Sequence, residues 1–195
     1  MLTRIFVVLL CGVFAAGPVF SQSDEREERD KQKTKQAQAV SKDVYDRIQK
    51  AQEEIDADNP QAALNILNGL RNKKGLTEYE LQNVLNYIGF VYYNLEQIEQ
   101  AMAIYEEMLR IPSMEDQIRK QTTYTLAQLA TMQEDYTKAL RLLDEWFALE
   151  TNPAPEPYIL YAQNLYQVNR YADMVKPIET AMEVAQRRGT AVKED

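Results

Sequence analysis

Leu85-Asn86-Tyr87-Ile88-Gly89-Phe90-Val91-Tyr92, continued at Ala101, Tyr105 and Pro112, is the stretch that decides the fold. Its apolar residues return at helical spacing, a small residue sits among them, and Pro112 closes the phrase. The same phrase recurs along the chain. Small residues stand at Ala51, Gly89, Ala127 and Ala162, separated by 38, 38 and 35 positions. Twelve positions after each come Ala63, Ala101, Ala139 and Met174, four further on Leu67, Tyr105, Leu143 and Ile178, and three beyond those Leu70, Met108, Trp146 and Ala181. Repetition of this length marks one supersecondary unit used several times.

Each unit reads as a helix pair. Helix starts are signalled by Asn59-Pro60, by Thr77 with Glu80, and by Ser113 with Asp116; the last two have capping-box spacing. Pro112 and the run Asn152-Pro153-Ala154-Pro155-Glu156-Pro157 separate helices, and Gly69, Gly75 and Gly189 read as helix stops. No stretch alternates like a half-buried strand, so the fold class is all-α, a superhelical solenoid of about four helix pairs. In the fourth pair Met174 replaces the alanine and Pro177 falls inside the second helix, which predicts a kink there.

This pattern resembles the tetratricopeptide repeat, a helix–turn–helix unit of 34 residues. Small residues let two helix backbones approach, and large ones fill the space between neighbouring pairs. Tyr105, Tyr136, Tyr171 and Trp146 are expected at packing positions. Three phrases sharpen the likeness: Tyr124-Thr125-Leu126-Ala127-Gln128-Leu129, Leu142-Leu143-Asp144-Glu145-Trp146-Phe147-Ala148 and Pro155-Glu156-Pro157-Tyr158-Ile159-Leu160-Tyr161-Ala162-Gln163. With the stretch at Leu85 they look like the periplasmic tetratricopeptide proteins associated with TonB-type systems of Gram-negative bacteria. That resemblance, from about Val44 to Arg188, implies a role beside a motor that powers outer-membrane uptake.

The first residues agree with an exported protein. Arg4 precedes an uncharged apolar run from Ile5 to Ala16, and Val19-Phe20-Ser21 suits signal peptidase. The expected organisation is a signal peptide at 1–21, a charged tether at 22–40, helical repeats at 41–189 and a polar tail at 190–195. The apolar run is shorter than the roughly 20 residues of a spanning helix, so no membrane insertion is expected after cleavage. The single cysteine, Cys11, falls in this segment, which leaves the mature chain without a thiol. Lipidation of Cys11 is disfavoured by the bulk of Leu10.

Composition narrows the chemistry. The 195 residues include no histidine, which excludes histidine-based hydrolases and histidine-ligated zinc. The net charge of −8 opposes binding to nucleic acid. Adjacent carboxylates at Glu53-Glu54 and Glu106-Glu107 would point to different sides of a helix, whereas a glycosidase needs two acids facing each other across a cleft. No calcium loop or phosphate-binding glycine loop occurs. The expectation is a non-enzyme with no cofactor and no metal.

Binding is the remaining chemistry. In tetratricopeptide proteins the first helix of each pair lines a groove. By resemblance the groove residues here are Asn83, Asn86, Phe90, Tyr93 and Asn94, then Gln121, Tyr124, Gln128 and Thr131, then Glu156, Ile159, Gln163, Tyr166 and Gln167. Amide side chains offer both donors and acceptors to an extended peptide backbone, and tyrosine rings can cover its side chains. Lysine or arginine, which relatives use to clamp a terminal carboxylate, is missing from these positions, so no such clamp is expected.

The expected partner is a protein or peptide, with a TonB-complex component favoured. An envelope-maintenance adaptor, or the helical arm of a longer cell-wall enzyme, are the alternatives. The last helix, read from about Tyr171 to Arg188, carries Val175, Ile178, Met182 and Ala185 on one stripe. Further repeats, a second copy or a partner are expected to cover that stripe. The export reading has a direct check: N-terminal sequencing of the protein from the soluble periplasmic fraction should begin at Gln22. Retention of Met1, or a lipid on Cys11, would refute it.

Overall fold

The computed structural model describes residues 40–189. The signal segment with Arg4, Cys11 and the Ser21–Gln22 junction, the tether before Val40 and the tail 190–195 lie outside the described residues. Among the described residues there are eight α-helices and no strand. They are α1 (Lys42–Asp56), α2 (Pro60–Arg71), α3 (Glu78–Asn94), α4 (Ile98–Leu109), α5 (Asp116–Met132), α6 (Tyr136–Leu149), α7 (Pro155–Gln167) and α8 (Val175–Arg188). They fall into two compact units, α1–α4 and α5–α8, which divide between Met114 and Glu115. In each unit two helix pairs stack, the second helix of the first pair packing on the first helix of the next.

The repeat register predicted the cores. In the first unit Val44, Ile48, Ala51, Ala63, Leu67, Leu85, Ile88, Ala101 and Tyr105 are buried. In the second, Leu126, Ala127, Ala139, Leu143, Trp146, Ala162, Leu165 and Ala181 are buried. The tightest contact explains the one glycine in the small-residue series. A Cβ placed on Gly89 would stand 2.6 Å from Cζ of Tyr105. Where the partner is smaller the small residue is alanine: Ala51 answers Leu67, and Ala127 answers Leu143.

The turn inside each pair has a common form. Asp58, Glu96, Glu134 and Asn169 all have φ near +60°, at the spacing of the repeat. The next amide in each case reaches back to a carbonyl of the preceding helix: Asn59 to Glu54, Gln97 to Tyr92, Asp135 to Ala130 and Arg170 to Leu165, at 2.8–2.9 Å. This is the Schellman ending, which satisfies carbonyls that a helix terminus leaves open. Glu96 and Glu134 occupy it at a cost of about 1 kcal/mol each relative to glycine. At Glu96 and Glu134 the sequence held no signal for it, because carboxylates stand where glycine would have announced the turn.

Helix starts were legible in part. Thr77 and Glu80 form the expected capping box. Asn59 occupies the N-cap of α2 with Pro60 following, but its side chain does not cap. The expected box at Ser113 and Asp116 is absent: α5 starts after Glu115, and Ser113 instead donates through its amide and hydroxyl to the Glu78 carboxylate on α3. Asp135 caps α6 by accepting from the Lys138 amide at 3.1 Å. Gly69 is no stop, because α2 runs through it to Arg71.

The fourth pair departs most from expectation. The last helix begins at Val175, not near Tyr171, and Met174 is its N-cap. Pro177 therefore lies in the first turn, where an amide has no intrahelical partner, so the proline breaks no hydrogen bond and no interior kink follows. Ala185 leaves the expected outer stripe and is buried with Ala181 and Val184, while Val175 and Met182 stay exposed. Tyr171, expected to pack, is exposed as well.

The Gly89–Tyr105 contact sets a stability test. Gly89→Ala should lower the unfolding free energy by about 1–3 kcal/mol through overpacking, read as a shift of the urea midpoint. Adding Tyr105→Leu should recover part of the loss, since alanine opposite leucine is what the neighbouring repeats use. A single variant as stable as the parent would refute the close contact.

Candidate functional site

The candidate site is the set of side chains that the first helices leave open beside the core. Five of the fourteen groove residues lie on α3 of the first unit and nine on α5 and α7 of the second. Each face is built by its own unit.

In the first unit α3 is fixed against α1 by a buried carboxylate. Glu80, 4% exposed, accepts from the Ser41 amide at 2.8 Å, the Thr77 amide at 2.9 Å and the Thr77 hydroxyl at 3.1 Å. Burial pushes this carboxyl up, but the hydrogen bonds from Ser41 and Thr77 outweigh it and hold the carboxyl at about 2. The capping-box spacing announced Thr77 with Glu80; the tie to Ser41, 39 residues away, left no trace in local sequence. A second brace joins α2 to α4, where the Arg71 guanidinium takes both oxygens of Glu107. Glu107 is thus half-buried and ion-paired.

On this frame Asn83 is half-buried and donates through Nδ2 to the Tyr79 carbonyl at 2.7 Å. Phe90 and Tyr93 are half-buried and Asn94 is exposed. Asn86 differs from them all: its Oδ1 is buried without a hydrogen-bond partner. A buried amide oxygen left unpaired costs about 1–3 kcal/mol, so such an atom calls for a donor. Tyr45 on α1 stands at the register position of Asn83 and is 38% exposed. Sequence reasoning passed over it, although the 38-residue spacing would have located it.

In the second unit the clip between α5 and α7 is polar. Asn164 is fully buried; its Nδ2 donates to Thr131 Oγ1 at 2.9 Å and to the Leu160 carbonyl at 2.7 Å. Thr131 also donates to the Ala127 carbonyl at 3.0 Å, so this hydroxyl is engaged inside the unit. A further tie runs from Lys120 on α5 to Glu150, at 2.9 Å. The amide of Asn152 first and then Lys120 hold the Glu150 carboxyl below its ordinary range.

Tyr124 is also committed inward. Its ring lies 5.1 Å from Trp146, and burial first, then the charge of Glu156, pushes its phenol well above the ordinary range. From Trp146 the aromatic contacts pass to Phe147 at 5.2 Å, and from Phe147 to Tyr158 at 4.8 Å on α7. The open residues are Gln163, Tyr166 and Gln167, with Gln128 half-buried beside them. Tyr166, 54% exposed, makes an edge contact with Tyr171 at 5.4 Å. Met132 is 40% exposed on the same helix as Gln128 and went unnoticed in the sequence. Gln121 and Ile159 are half-buried and Glu156 is exposed.

Neither face carries a lysine or arginine at the groove register. Among the described residues no group of three or more Cys, Asp or Glu is placed to hold a metal ion, and no helix is long and apolar enough to cross a membrane.

Two stacked helix pairs per unit, with small residues at the crossings, define a helical-repeat protein. No protein-family model matches the chain, and no curated protein matches it. Solved structures do. The crystal structure of MamA superposes with a TM-score of 0.62 at 11% identity, over 88% of this chain and 98% of that one. The Podosopora anserina putative kinesin light chain, with nearly identical TPR-like repeats, gives 0.58 at 14% identity over 74% and 75%. Aspartyl phosphate phosphatase F from Bacillus subtilis gives 0.60 at 14% identity, over 77% of this chain and 43% of that one. The chain has the tetratricopeptide-repeat fold, all-α and built from helix pairs.

Glu80 supplies a pH test of the frame. Its carboxyl titrates near 2 in the folded protein and near 4.5 when unfolded, so its contribution is complete above about pH 4.5 and is lost as pH falls through about 2. Glu80→Gln should cost on the order of 2–3 kcal/mol at pH 7. The gap between variant and parent should close on acidification across that window in chemical denaturation. A gap independent of pH would remove the carboxylate from the frame.

Proposed function

We propose that this protein is a non-catalytic interaction scaffold of the periplasm, exported by its N-terminal signal and accessory to a TonB-type energy-transduction complex. The tetratricopeptide fold supports the scaffold reading. The phrases around Leu85, Tyr124, Leu142 and Pro155 support the TonB association, and the Arg4-to-Ser21 pattern supports export. One observation carries the binding mode: the buried, unpartnered Oδ1 of Asn86 on a face shared with Phe90 and Tyr93. Once the amide turns outward, a backbone N–H of an extended partner segment supplies the donor that this oxygen lacks, while the rings cover the segment's side chains. The second face offers Gln128, Gln163, Tyr166 and Gln167 for the same purpose.

This mode depends on amides and rings, with no charge at the groove register, so it reads backbone and apolar side chains and not a terminal carboxylate. A photo-crosslinking residue placed at Phe90 or Tyr166 in the Gram-negative host should capture an inner-membrane component of a TonB-type system, with Arg141 on α6 as the outer-face control. Asn86→Ala should reduce the Phe90 capture while leaving the far-ultraviolet spectrum unchanged. Capture equal at all three positions would refute the groove, and capture of cell-wall or outer-membrane assembly proteins would refute the TonB assignment.

A further inference from the structure

The acids of the first unit are compensated at one end and left open at the other. Where α1 begins and α4 ends, Asp43 pairs with Arg47 and Lys73, Asp46 with Lys42, and Glu107 with Arg71. The turns inside the two pairs lie at the opposite end, and in or beside them Asp58, Glu96 and Glu99 are exposed. Among the described residues none of these three carboxylates has an ionic or hydrogen-bonded partner. Asp56, the last residue of α1, takes only the Gln52 amide, at 2.8 Å. Sequence supplies no base to this end, since lysine and arginine are missing from 51–70 and from 75–109. The second unit differs: Arg170 pairs with Asp173 at 2.6 Å in the turn of its last pair, and Lys138 stands in the first turn of α6.

That end closes the face formed by α3. Tyr93 and Asn94 are the last residues of the helix, and Glu96 follows two positions later. Asp58 and Glu96 hold the same place in their turns, with φ near +60°, so two carboxylates leave adjacent pairs from equivalent points. Carboxylates without counter-ions sum to a negative potential that draws cationic groups and repels anionic ones. A lone cluster of acids is only a solvated edge; here it borders Phe90, Tyr93 and the unpaired acceptor of Asn86. A chain lying along α3 towards its end therefore passes from rings and amides to uncompensated negative charge.

On the groove reading of α3, we propose that the first-unit face holds an extended segment of a partner protein with a basic end. Its apolar side chains lie over Phe90 and Tyr93, and its lysine or arginine residues lie over the turns of Asp58 and Glu96. Exposed ion pairs add little affinity each, but complementary charge speeds encounter and fixes which end of the segment meets the turns. An acidic segment is rejected by the same groups. The second face lacks such an end, so α1–α4 set the polarity of binding.

Selection of random displayed peptides on the purified mature chain tests this without assuming a sequence. Selected peptides should lose binding to Phe90→Ala and should carry lysine or arginine towards one end. Asp58→Asn with Glu96→Asn should weaken them about three- to tenfold at low salt, mainly in association rate, and the gap should close at about 0.5 M salt. Asparagine stands at this turn position in the fourth pair, as Asn169, so the double variant keeps its turns. Glu134→Asn, the same change in the second unit, should leave binding as it was. Circular dichroism of each variant separates lost binding from lost fold. Peptides that need Phe90 but carry no base, or that ignore the double variant, would overturn the basic end while the groove stands. No selected peptide from any form of the chain, or only peptides indifferent to Phe90→Ala and Asn86→Ala, would overturn the groove with it. Peptides that bind only after Lys31→Gln, Lys33→Gln and Lys35→Gln would make this chain's own N-terminal stretch the occupant, and the partner assignment would fall.

Discussion

The close approach of α3 and α4 at Gly89 is the constraint on which the first unit depends. Tyr105 fills the space that a side chain at 89 would need, so one position must be empty for the other to be full. At the same register the first and third pairs carry alanine with leucine, and the fourth carries Ala162 with Ile178. Core packing tolerates such exchanges when total volume is kept and penalises them when it is not. The small-residue positions are therefore not independently variable.

The turns impose the second constraint. A helix pair can present its small residues to each other only if the chain reverses at a fixed angle. The four residues near φ +60° and their backward hydrogen bonds supply that angle in every pair. Asp58 and Asn169 tolerate the left-handed conformation better than the glutamates do, because their short side chains can bond locally. That Glu96 and Glu134 are held there shows packing overruling local preference. Ties join the first pair to the second, Glu80 to Ser41 and Arg71 to Glu107, and others brace the second unit, Lys120 to Glu150 and Arg188 to the Asn152 and Pro153 carbonyls. Two of these ties are only partly screened from water, and such pairs contribute modestly to stability.

The repeat register was legible because packing writes it in residue size. Ala51, Gly89, Ala127 and Ala162, with the alanines and large residues that answer them, fixed the helix pairs and most of the core. What sequence did not carry was geometry that depends on a distant partner. Ser113 has the spacing of a cap but is claimed by Glu78, 35 residues away. Pro177 looked like a break because the start of the helix was placed four residues too early. The candidate site was legible by register alone. That placed fourteen side chains on the first helices of their pairs, but it could not tell that Tyr124 is turned onto Trp146 or that Asn86 is left without a donor.

These differences decide how the inner faces can work. A face made of committed side chains is a rigid surface, and one made of free ones must order them at each encounter, at about 0.5–1.5 kcal/mol per side chain. Asn83, Tyr124 and Thr131 are already held by Tyr79, Trp146 and Asn164, so they shape the face without spending entropy on a ligand. Gln163, Tyr166 and Gln167 are open and adaptable. Within the second unit, residues held by internal contacts thus stand beside exposed ones. Asn86 belongs to the held set by position and to the open set by chemistry, since its oxygen is buried but unpaired. Such an acceptor gains from a donor because it has already lost its water, but being buried it must first turn towards the open face to meet one.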